Sequence, residues 1–300
     1  MILYYALGGG LGHISRSFAL IAHAPEALQP EIRLLVSSRS AAVALPHAPC
    51  PMDVVPEQAM AERSLYFRFL AAYLARHDFS CIVLDTFPFG LLGELADTAV
   101  TLPRILVGRY LRWDAYRERC ADLNHAVWPR AAIMIEEQER PYLEEITRHG
   151  RIITAPAPIS LARATDGPAP DATPACCIVH SGPAEETARL VEIANQVMAE
   201  RALQGPPMVF LPQGGVFPVE RRLSGFSDIV SGAGYAGCAA SAVLNGRVRY
   251  HLHPFPRRFD DQARRLRLLQ EGRWGDTSAG STPSAASALW GEVEALKCGM

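Results

Sequence analysis

The sequence has no excess of charge of either sign. Its 29 Lys and Arg residues balance 31 Asp and Glu residues, which gives a formal net charge of −2 at pH 7. Binding of nucleic acid through a general cationic surface needs a basic excess, so this balance argues against a nucleic-acid partner. No apolar run approaches the roughly 18–20 residues that span a bilayer. The start of the chain also lacks the charged and apolar regions of a signal peptide, so a cytoplasmic protein is predicted.

Cysteine pairs of the kind that hold zinc or exchange disulfides are also missing. The seven cysteines are odd in number and none belongs to a Cys-x-x-Cys motif. Cys81, Cys176 and Cys177 lie in apolar, strand-like stretches, so reduced and mostly buried thiols are expected. His251 and His253 share one face of a predicted strand, but no third ligand is near in sequence, and no metal site is predicted.

What the sequence does contain is an alternation of short apolar runs with helical patterns. Hydrophobic residues make up 49% of the 300 residues, which is enough chain for two globular domains. Strands are predicted at 2–7, 32–36, 53–55, 81–84, 104–107 and 132–135 in the first half, with helices at 57–76 and 89–97. Continuous apolar strands alternating with helices indicate a parallel sheet covered on both faces.

A segment rich in proline and alanine, 156–175, interrupts the alternation and is predicted to be a linker. Beyond it, strands are predicted at 177–179, 208–211, 228–230 and 248–252, with helices at 184–203, 235–244, 259–269 and 282–296. We therefore predict an α/β protein with two Rossmann-like, doubly wound domains, 1–155 and 176–300, facing a cleft. The last helix is a candidate to pack back on the first domain. Ligands of such folds bind beyond the carboxyl ends of the strands, which places the site in the cleft.

A glycine-rich loop follows the first predicted strand. Gly9, Gly10 and Gly12 allow backbone N–H groups to approach an anion, and the next helix adds its positive end. The loop lacks the third glycine of a dinucleotide-binding fingerprint. His13, at the start of that helix, is a candidate base near neutral pH, with helix capping or packing as the alternative.

Asp85 ends another predicted strand, at the same edge of the sheet. Its carboxylate can accept a hydrogen bond from His13, which would fix the tautomer of the imidazole and raise its basicity. The alternative is that Asp85 caps the helix predicted after it.

A second turn of small residues lies in the other half of the chain. It consists of Ser231, Gly232, Ala233 and Gly234, followed by Tyr235. No acid occupies the first turn of the following helix, so its amides can hold a phosphate. The loop at 181–183 is instead followed by Glu185 and Glu186, which would repel a phosphate. The diphosphate site is therefore predicted at 231–234.

A charged run follows the last predicted strand. Arg257 can hold an anion, whereas a carboxylate beside an amide, Asp261 and Gln262, suits the paired hydroxyls of a sugar. A solvated helix start is the alternative interpretation.

These motifs occur in the order found in one enzyme group. The chain resembles the GT-B glycosyltransferases, in particular the group of the peptidoglycan N-acetylglucosaminyltransferase and related bacterial predicted glycosyltransferases. The resemblance is carried by residues 8–16, 85–90, 231–235 and 257–262. It implies metal-independent transfer of a sugar from a nucleotide diphosphate sugar, linked to UDP or dTDP, to an acceptor hydroxyl, without a further cofactor.

The resemblance also assigns roles to residues. It makes His13 the base, places the donor diphosphate at 231–234 and the donor sugar at Asp261 and Gln262, and places the acceptor on the N-terminal domain. The acid that binds the donor ribose in such enzymes falls near Cys238, and no acid lies between residues 231 and 244.

Two other functions remain open from the sequence. Nucleotide-sugar hydrolases or epimerases on the same scaffold share the loop at 10–16, with water in place of the acceptor in the hydrolases. A non-catalytic protein that only binds a sugar nucleotide is the second, motivated by Cys238 and the acidic helix start at Glu185. The aromatic helix face at 66–73 is predicted to be core, with peripheral contact to a membrane as the alternative. The oligomeric state is not predicted.

Overall fold

The computed structural model describes residues 1–37, 41–96, 100–120, 123, 126–156, 175–210, 223, 225–244, 248–274 and 284–299. The described strands are β1 (Ile2–Ala6), β2 (Ile32–Val36), β3 (Met52–Val54), β4 (Cys81–Asp85), β5 (Arg104–Gly108), β6 (Ala131–Met134), β7 (Arg151–Thr154), β8 (Cys176–Val179), β9 (Met208–Phe210), β10 (Asp228–Gly232) and β11 (Arg249–His253). The described α-helices are α1 (Leu11–Ile21), α2 (Ala41–Ala44), α3 (Glu57–Met60), α4 (Arg63–Ala75), α5 (Trp113–Arg117), α6 (Arg140–His149), α7 (Ala184–Glu200), α8 (Tyr235–Val243), α9 (Gln262–Gln270) and α10 (Ala285–Lys297).

The strands form two separate parallel sheets, as the sequence predicts. The first sheet has seven strands in the order β3-β2-β1-β4-β5-β6-β7, and the second has four in the order β11-β10-β8-β9. The winding direction reverses between β1 and β4 in the first sheet, and between β8 and β10 in the second. Loops at such switch points diverge and leave a crevice at the carboxyl ends of the strands. The two crevices position the candidate site.

Several elements differ from the sequence-based prediction, which did not include helices α2, α5 and α6. Strand β7 was missed because its pattern is half exposed, as suits an edge strand. The helix predicted at 57–76 is broken into α3 and α4. The helix predicted at 89–97 is wrong: the chain forms turns through Ala96, and Gly90 and Gly93 adopt φ values of 81° and 73°. These left-handed conformations cannot continue a helix.

Alternating side chains of β1 build two cores on opposite faces of the first sheet. Ile2 and Tyr4 pack with α1 and α10, while Leu3 and Tyr5 pack with α4 and α6. On α4, the predicted core face is buried through Tyr66, Leu70 and Tyr73. No helix among the described residues combines the length and apolar character that crossing a membrane requires.

The last helix of the chain lies on the first sheet. Helix α10 contacts β5, β6 and α1, and Trp290 at its centre is buried and donates its Nε1–H to the carbonyl of Leu20 at 2.9 Å. Positions 282 and 283, predicted to start this helix, and nearly all of the predicted linker at 156–175 lie outside the described residues. The domain limits therefore stay a prediction.

An apolar contact joins the two halves beside the cleft. Helix α1 packs against α8, and Ile14, Tyr235 and Ala239 belong to one continuous buried cluster. The guanidinium of Arg16 lies 4.6 Å from the centre of the Tyr235 ring. This contact fixes how the loops that follow β1 and β10 approach each other.

A carboxyl group is buried in the other core of the first sheet. Glu94 is fully buried and accepts hydrogen bonds from the backbone N–H of Leu92, at 2.7 Å, and from the Tyr5 hydroxyl, which also contacts the Tyr66 hydroxyl. Burial raises the pKa of Glu94 to about 7, because the charged form loses its hydration.

Candidate functional site in the cleft between the sheets

A cleft of about 890 Å³ lies between the carboxyl ends of the two sheets. Its walls are the glycine-rich loop after β1, the loops after β8 and β10, and the segment between β11 and α9. The predicted site residues that line it are Gly9, Gly10, Gly12, His13, Ser231, Gly232, Gly234, Tyr235, Arg257 and Gln262. The fold thus brings to one cavity residues that lie more than two hundred positions apart in the chain.

His13 and Asp85 meet at the switch point of the first sheet. His13 follows β1 at the start of α1, Asp85 ends β4, and the His13 Nδ1 lies 2.5 Å from the Asp85 Oδ2. Arg16, one turn further along α1, donates from Nε to Oδ1 at 2.7 Å and from NH2 to Oδ2 at 2.6 Å. The described residues directly after Asp85, 86–96, form turns and no helix, so the alternative role of a helix cap is wrong.

These contacts set the charges of the group. Burial alone would raise the pKa of Asp85, but Arg16 and His13 hold it well below its usual range. Burial lowers the pKa of His13 and outweighs the opposite effect of Asp85. The imidazole is therefore neutral at pH 7. Because Nδ1 donates to the carboxylate, Nε2 is left with the lone pair that can accept a proton.

Gly8 leaves room for the imidazole of His13 because it has no side chain. A Cβ built on Gly8 would overlap the His13 ring, so the ring lies directly against the backbone of the loop. A Cβ on Gly10 would lie 3.3 Å from the Ser181 Oγ, and one on Gly12 would lie 4.0 Å from the Cβ of Ala236. The glycines therefore also let the loop approach the second half of the chain closely.

The loop after β10 presents the start of α8 to the cleft. Gly234 is the N-cap residue, no side chain caps the helix, and its first turn contains no acid. The Ser231 hydroxyl donates to the carbonyl of Val179 at 2.8 Å and so belongs to the frame of the loop. A Cβ on Gly237 would overlap the Gly232 carbonyl oxygen, which explains the glycine one turn into the helix.

Arg257 is paired within the second half of the chain. Its guanidinium donates to both carboxylate oxygens of Glu186, at 2.5 and 2.6 Å. The same carboxylate lies 3.0 Å from the Nε2 of His180, which lines the cleft after β8. Burial lowers the pKa of His180 despite this partner. His180 is a cleft residue that was not predicted from the sequence, although its position directly after a predicted strand was an available signal.

Asp261 and Gln262 have different surroundings. The Asp261 carboxylate caps α9 by accepting from the backbone N–H of Arg264 at 2.9 Å, and it is not among the residues that line the cleft. Gln262 does line it, and its Oε1 accepts from the backbone N–H of Phe255 at 2.9 Å. The Gln262 Nε2 is directed toward Gly234, 3.9 Å from where a Cβ on that glycine would lie.

Ala233 and Cys238 face away from the cleft. Both are buried in the cluster shared by α1 and α8, and the Cys238 Sγ lies 3.6 Å from the Ala233 carbonyl oxygen. Ala236, Gly237 and Ala240 present the cleft face of α8 instead. Within the described part of the chain, no group of three or more His, Cys, Asp or Glu side chains can hold a metal ion.

The two facing parallel sheets define the architecture of the GT-B fold, and the comparisons agree. No family model and no curated protein matches the chain. Among solved structures, the SsfS6 glycosyltransferase of Streptomyces sp. SF2575 is similar at a TM-score of 0.56 and 14% identity, covering 98% of this chain and 99% of that one. The spinosyn rhamnosyltransferase SpnG in complex with thymidine diphosphate gives 0.51 and 15%, covering 98% and 96%. The UDP-N-acetylglucosamine 2-epimerase of Rickettsia bellii gives 0.57 and 9%, covering 99% and 94%.

Proposed function

We propose that the protein is a glycosyltransferase that moves a sugar from a nucleotide diphosphate sugar to an acceptor hydroxyl without a metal ion. The donor is linked to UDP or dTDP and lies on the second sheet, and the acceptor lies on the first. The observation that carries the proposal is the neutral, cleft-lining His13, held 2.5 Å from Asp85 by its Nδ1. A base with this support suits the removal of a hydroxyl proton.

The reaction would proceed in one displacement. His13 Nε2 accepts the proton of the acceptor hydroxyl while the acceptor oxygen bonds to the anomeric carbon of the sugar. The bond from that carbon to the diphosphate oxygen breaks, and its electron pair leaves with the diphosphate. Asp85 stabilises the imidazolium that forms, and Arg16 keeps the carboxylate ionised and oriented.

The start of α8 supports binding of the departing diphosphate. Its uncapped first turn carries no acid and lines the cleft opposite the glycine-rich loop. Backbone N–H groups at a helix start favour an anion. Position 238 offers the ribose no carboxylate because it is a cysteine, and its side chain is buried away from the cleft. Small residues of α8, such as Ala236 and Ala240, leave room for the ribose along the helix.

Replacement of His13 by Ala tests the proposal. Turnover should fall by about 10²-fold or more, which is the usual contribution of a general base, while affinity for nucleoside diphosphates stays the same. His23→Ala is the matched control, because His23 is exposed just beyond the end of α1, where its Nδ1 lies 2.8 Å from the carbonyl oxygen of Ala19. Unchanged turnover in the His13 variant would remove this residue from the mechanism.

The donor can be found by thermal stabilisation with a panel of sugar nucleotides, since a ligand at about 100 times its Kd adds roughly 2.7 kcal/mol. The same panel separates the other functions. Release of nucleotide without an acceptor, at the rate measured with one, would identify a hydrolase. Interconversion of two sugar nucleotides would identify an epimerase. Binding without turnover of any acceptor mixture would identify a binding protein.

A further inference from the structure

The cleft contains one arginine whose hydrogen-bonding capacity is unused by the described residues. Four arginines line the cleft: Arg16, Arg109, Arg257 and Arg258. Arg16 and Arg257 each donate two hydrogen bonds to a single carboxylate. Arg258 is exposed to solvent. Arg109 directly follows β5 and donates no hydrogen bond to any residue in the described part of the chain, and its Nε is buried without a partner.

The carboxylate near Arg109, that of Asp260, is hydrogen-bonded to another arginine. The Arg109 NH1 lies 3.5 Å from the Asp260 Oδ2, beyond the distance of a strong charged hydrogen bond. Asp260 accepts two hydrogen bonds from Arg265, at 2.6 and 3.0 Å, and one from the backbone N–H of Asp261 at 3.0 Å. The Arg109 side chain is only 13% exposed. A guanidinium that has lost most of its hydration is stable when an anion or several acceptors replace the water.

Burial and neighbouring charges both act on the Arg109 guanidinium. Burial lowers the pKa of Arg109, and the charges of Arg265 and Arg16 lower it further, against the opposite effect of Asp260. Arg16 is itself paired with Asp85, and Arg265 with Glu136 and Asp260, so the charge that an anion in the cleft would meet is that of Arg109. The glycine-rich loop itself, residues 8–12, offers an anion backbone N–H groups and no charged side chain.

Arg109 is also connected to the predicted diphosphate loop. Arg265, which holds Asp260, extends its NH1 to 3.4 Å from the carbonyl of Ala233 in that loop. Asp260 therefore links Arg109, on the first sheet, with the start of α8, on the second. Arg109 also acts electrostatically on His13. Arg109, the candidate base and the loop at 231–234 therefore line the same cleft.

We propose that Arg109 binds the diphosphate of the nucleotide sugar from the side of the first sheet. This inference rests on the proposed function and adds a cation to it from the half of the chain that the resemblance assigns to the acceptor. As the bond between the anomeric carbon and the phosphate oxygen breaks, the electron pair remains on that oxygen. Arg109 then donates hydrogen bonds to the diphosphate whose charge has increased.

Calorimetry with UDP, dTDP and the corresponding nucleosides tests the inference on the full-length chain. Arg109→Gln removes the charge, and Arg109→Lys keeps a charge without the two-pronged geometry. Arg112→Gln is the matched control, since Arg112 lies three residues further along the same segment, is 45% exposed and does not line the cleft. A thermal melt of each variant without ligand shows whether it is folded; Asp260 keeps its Arg265 partner in all of them.

Arg109→Gln should weaken diphosphate affinity by about 10- to 100-fold, the range expected for charged hydrogen bonds, and leave nucleoside affinity unchanged. Arg109→Lys should lose less, and Arg112→Gln should match the wild type. Diphosphate affinity that is equal in the wild type and a folded Arg109→Gln variant would overturn this inference alone. Failure of the wild type to bind any nucleoside diphosphate would overturn the proposed function and this inference with it.

Discussion

The buried carboxyl group of Glu94 makes the stability of the fold depend on pH in a direction opposite to that of most acids. The perturbation is Glu94→Gln, which keeps the size of the side chain and removes the titration. In the folded protein the pKa of Glu94 is about 7, compared with 4.5 for an unburied glutamate. Between these two pH values the unfolded chain releases a proton that the folded chain retains.

The sign and size of the effect follow from this difference. A raised pKa in the folded state gives a contribution that is complete below pH 4.5 and is lost as the pH rises through about 7. At about 1.4 kcal/mol per pKa unit, the wild type should lose about 3 kcal/mol across this window relative to the Gln variant. For a chain of this length, that corresponds to about 5 °C in Tm.

The assay is thermal unfolding of the wild type and the Gln variant between pH 4.5 and 8, followed by circular dichroism. His13 and His180, whose pKa values are lowered by burial, add a component of opposite sign that is common to both proteins. The pH dependence of the difference between the two curves therefore reports on the titration of Glu94 alone. Any effect of the amide on stability that does not depend on pH adds only a constant offset. Curves that stay parallel over the whole range would refute the reasoning, because Glu94 would then titrate alike in the folded and unfolded chains.

Three further predictions concern the site and its frame. In Gly8→Ala the new Cβ should displace the His13 ring. A catalytic group misplaced by about 1 Å lowers turnover by about 10²-fold, which steady-state assays would detect, and nucleotide affinity should stay unchanged. Gly291→Ala should instead raise stability by up to about 1 kcal/mol in urea unfolding, because a Cβ on this exposed residue of α10 meets nothing within 4 Å. Arg265→Ala should lower the free energy of unfolding by about 3–5 kcal/mol, also measured in urea, because the buried carboxylates of Glu136 and Asp260 lose their shared partner. A decrease below about 1 kcal/mol would contradict this explanation.

Much of the fold was predictable from local patterns. The central strands β1 and β4 of the first sheet are apolar runs, since helices cover both faces of that sheet, and this pattern is clear in the sequence. Strand β7 was not predictable in this way, because an edge strand is half exposed and its apolar run is short. The turns at 89–96 contain enough apolar residues to resemble a helix, and only the positive φ values of Gly90 and Gly93 exclude it.

Several residues of the candidate site could be predicted from the sequence, but the ion pairs that these residues form could be predicted less well. His13 and Asp85 could be selected because parallel strands end at the same edge of a sheet, although they are 72 positions apart. Arg257 and Glu186, 71 positions apart, were assigned to separate roles, yet they form one ion pair. Sequence spacing carries no information on such a pair, because it depends on how two loops of the second sheet fold toward each other.

Local sequence patterns were enough to predict two parallel sheets, the small-residue loops at their carboxyl ends, and the histidine that follows the first strand. These depend on the order of residues within single strands and turns. Contacts between distant segments decide which charges are neutralised and which face of α8 is buried. The Arg257–Glu186 pair joins two loops of the second sheet, whereas the packing of α1 against α8 buries Cys238. The position of Arg109, directly after β5 and at the cleft, likewise leaves its buried Nε without a hydrogen-bonding partner among the described residues, which its own stretch of sequence does not indicate.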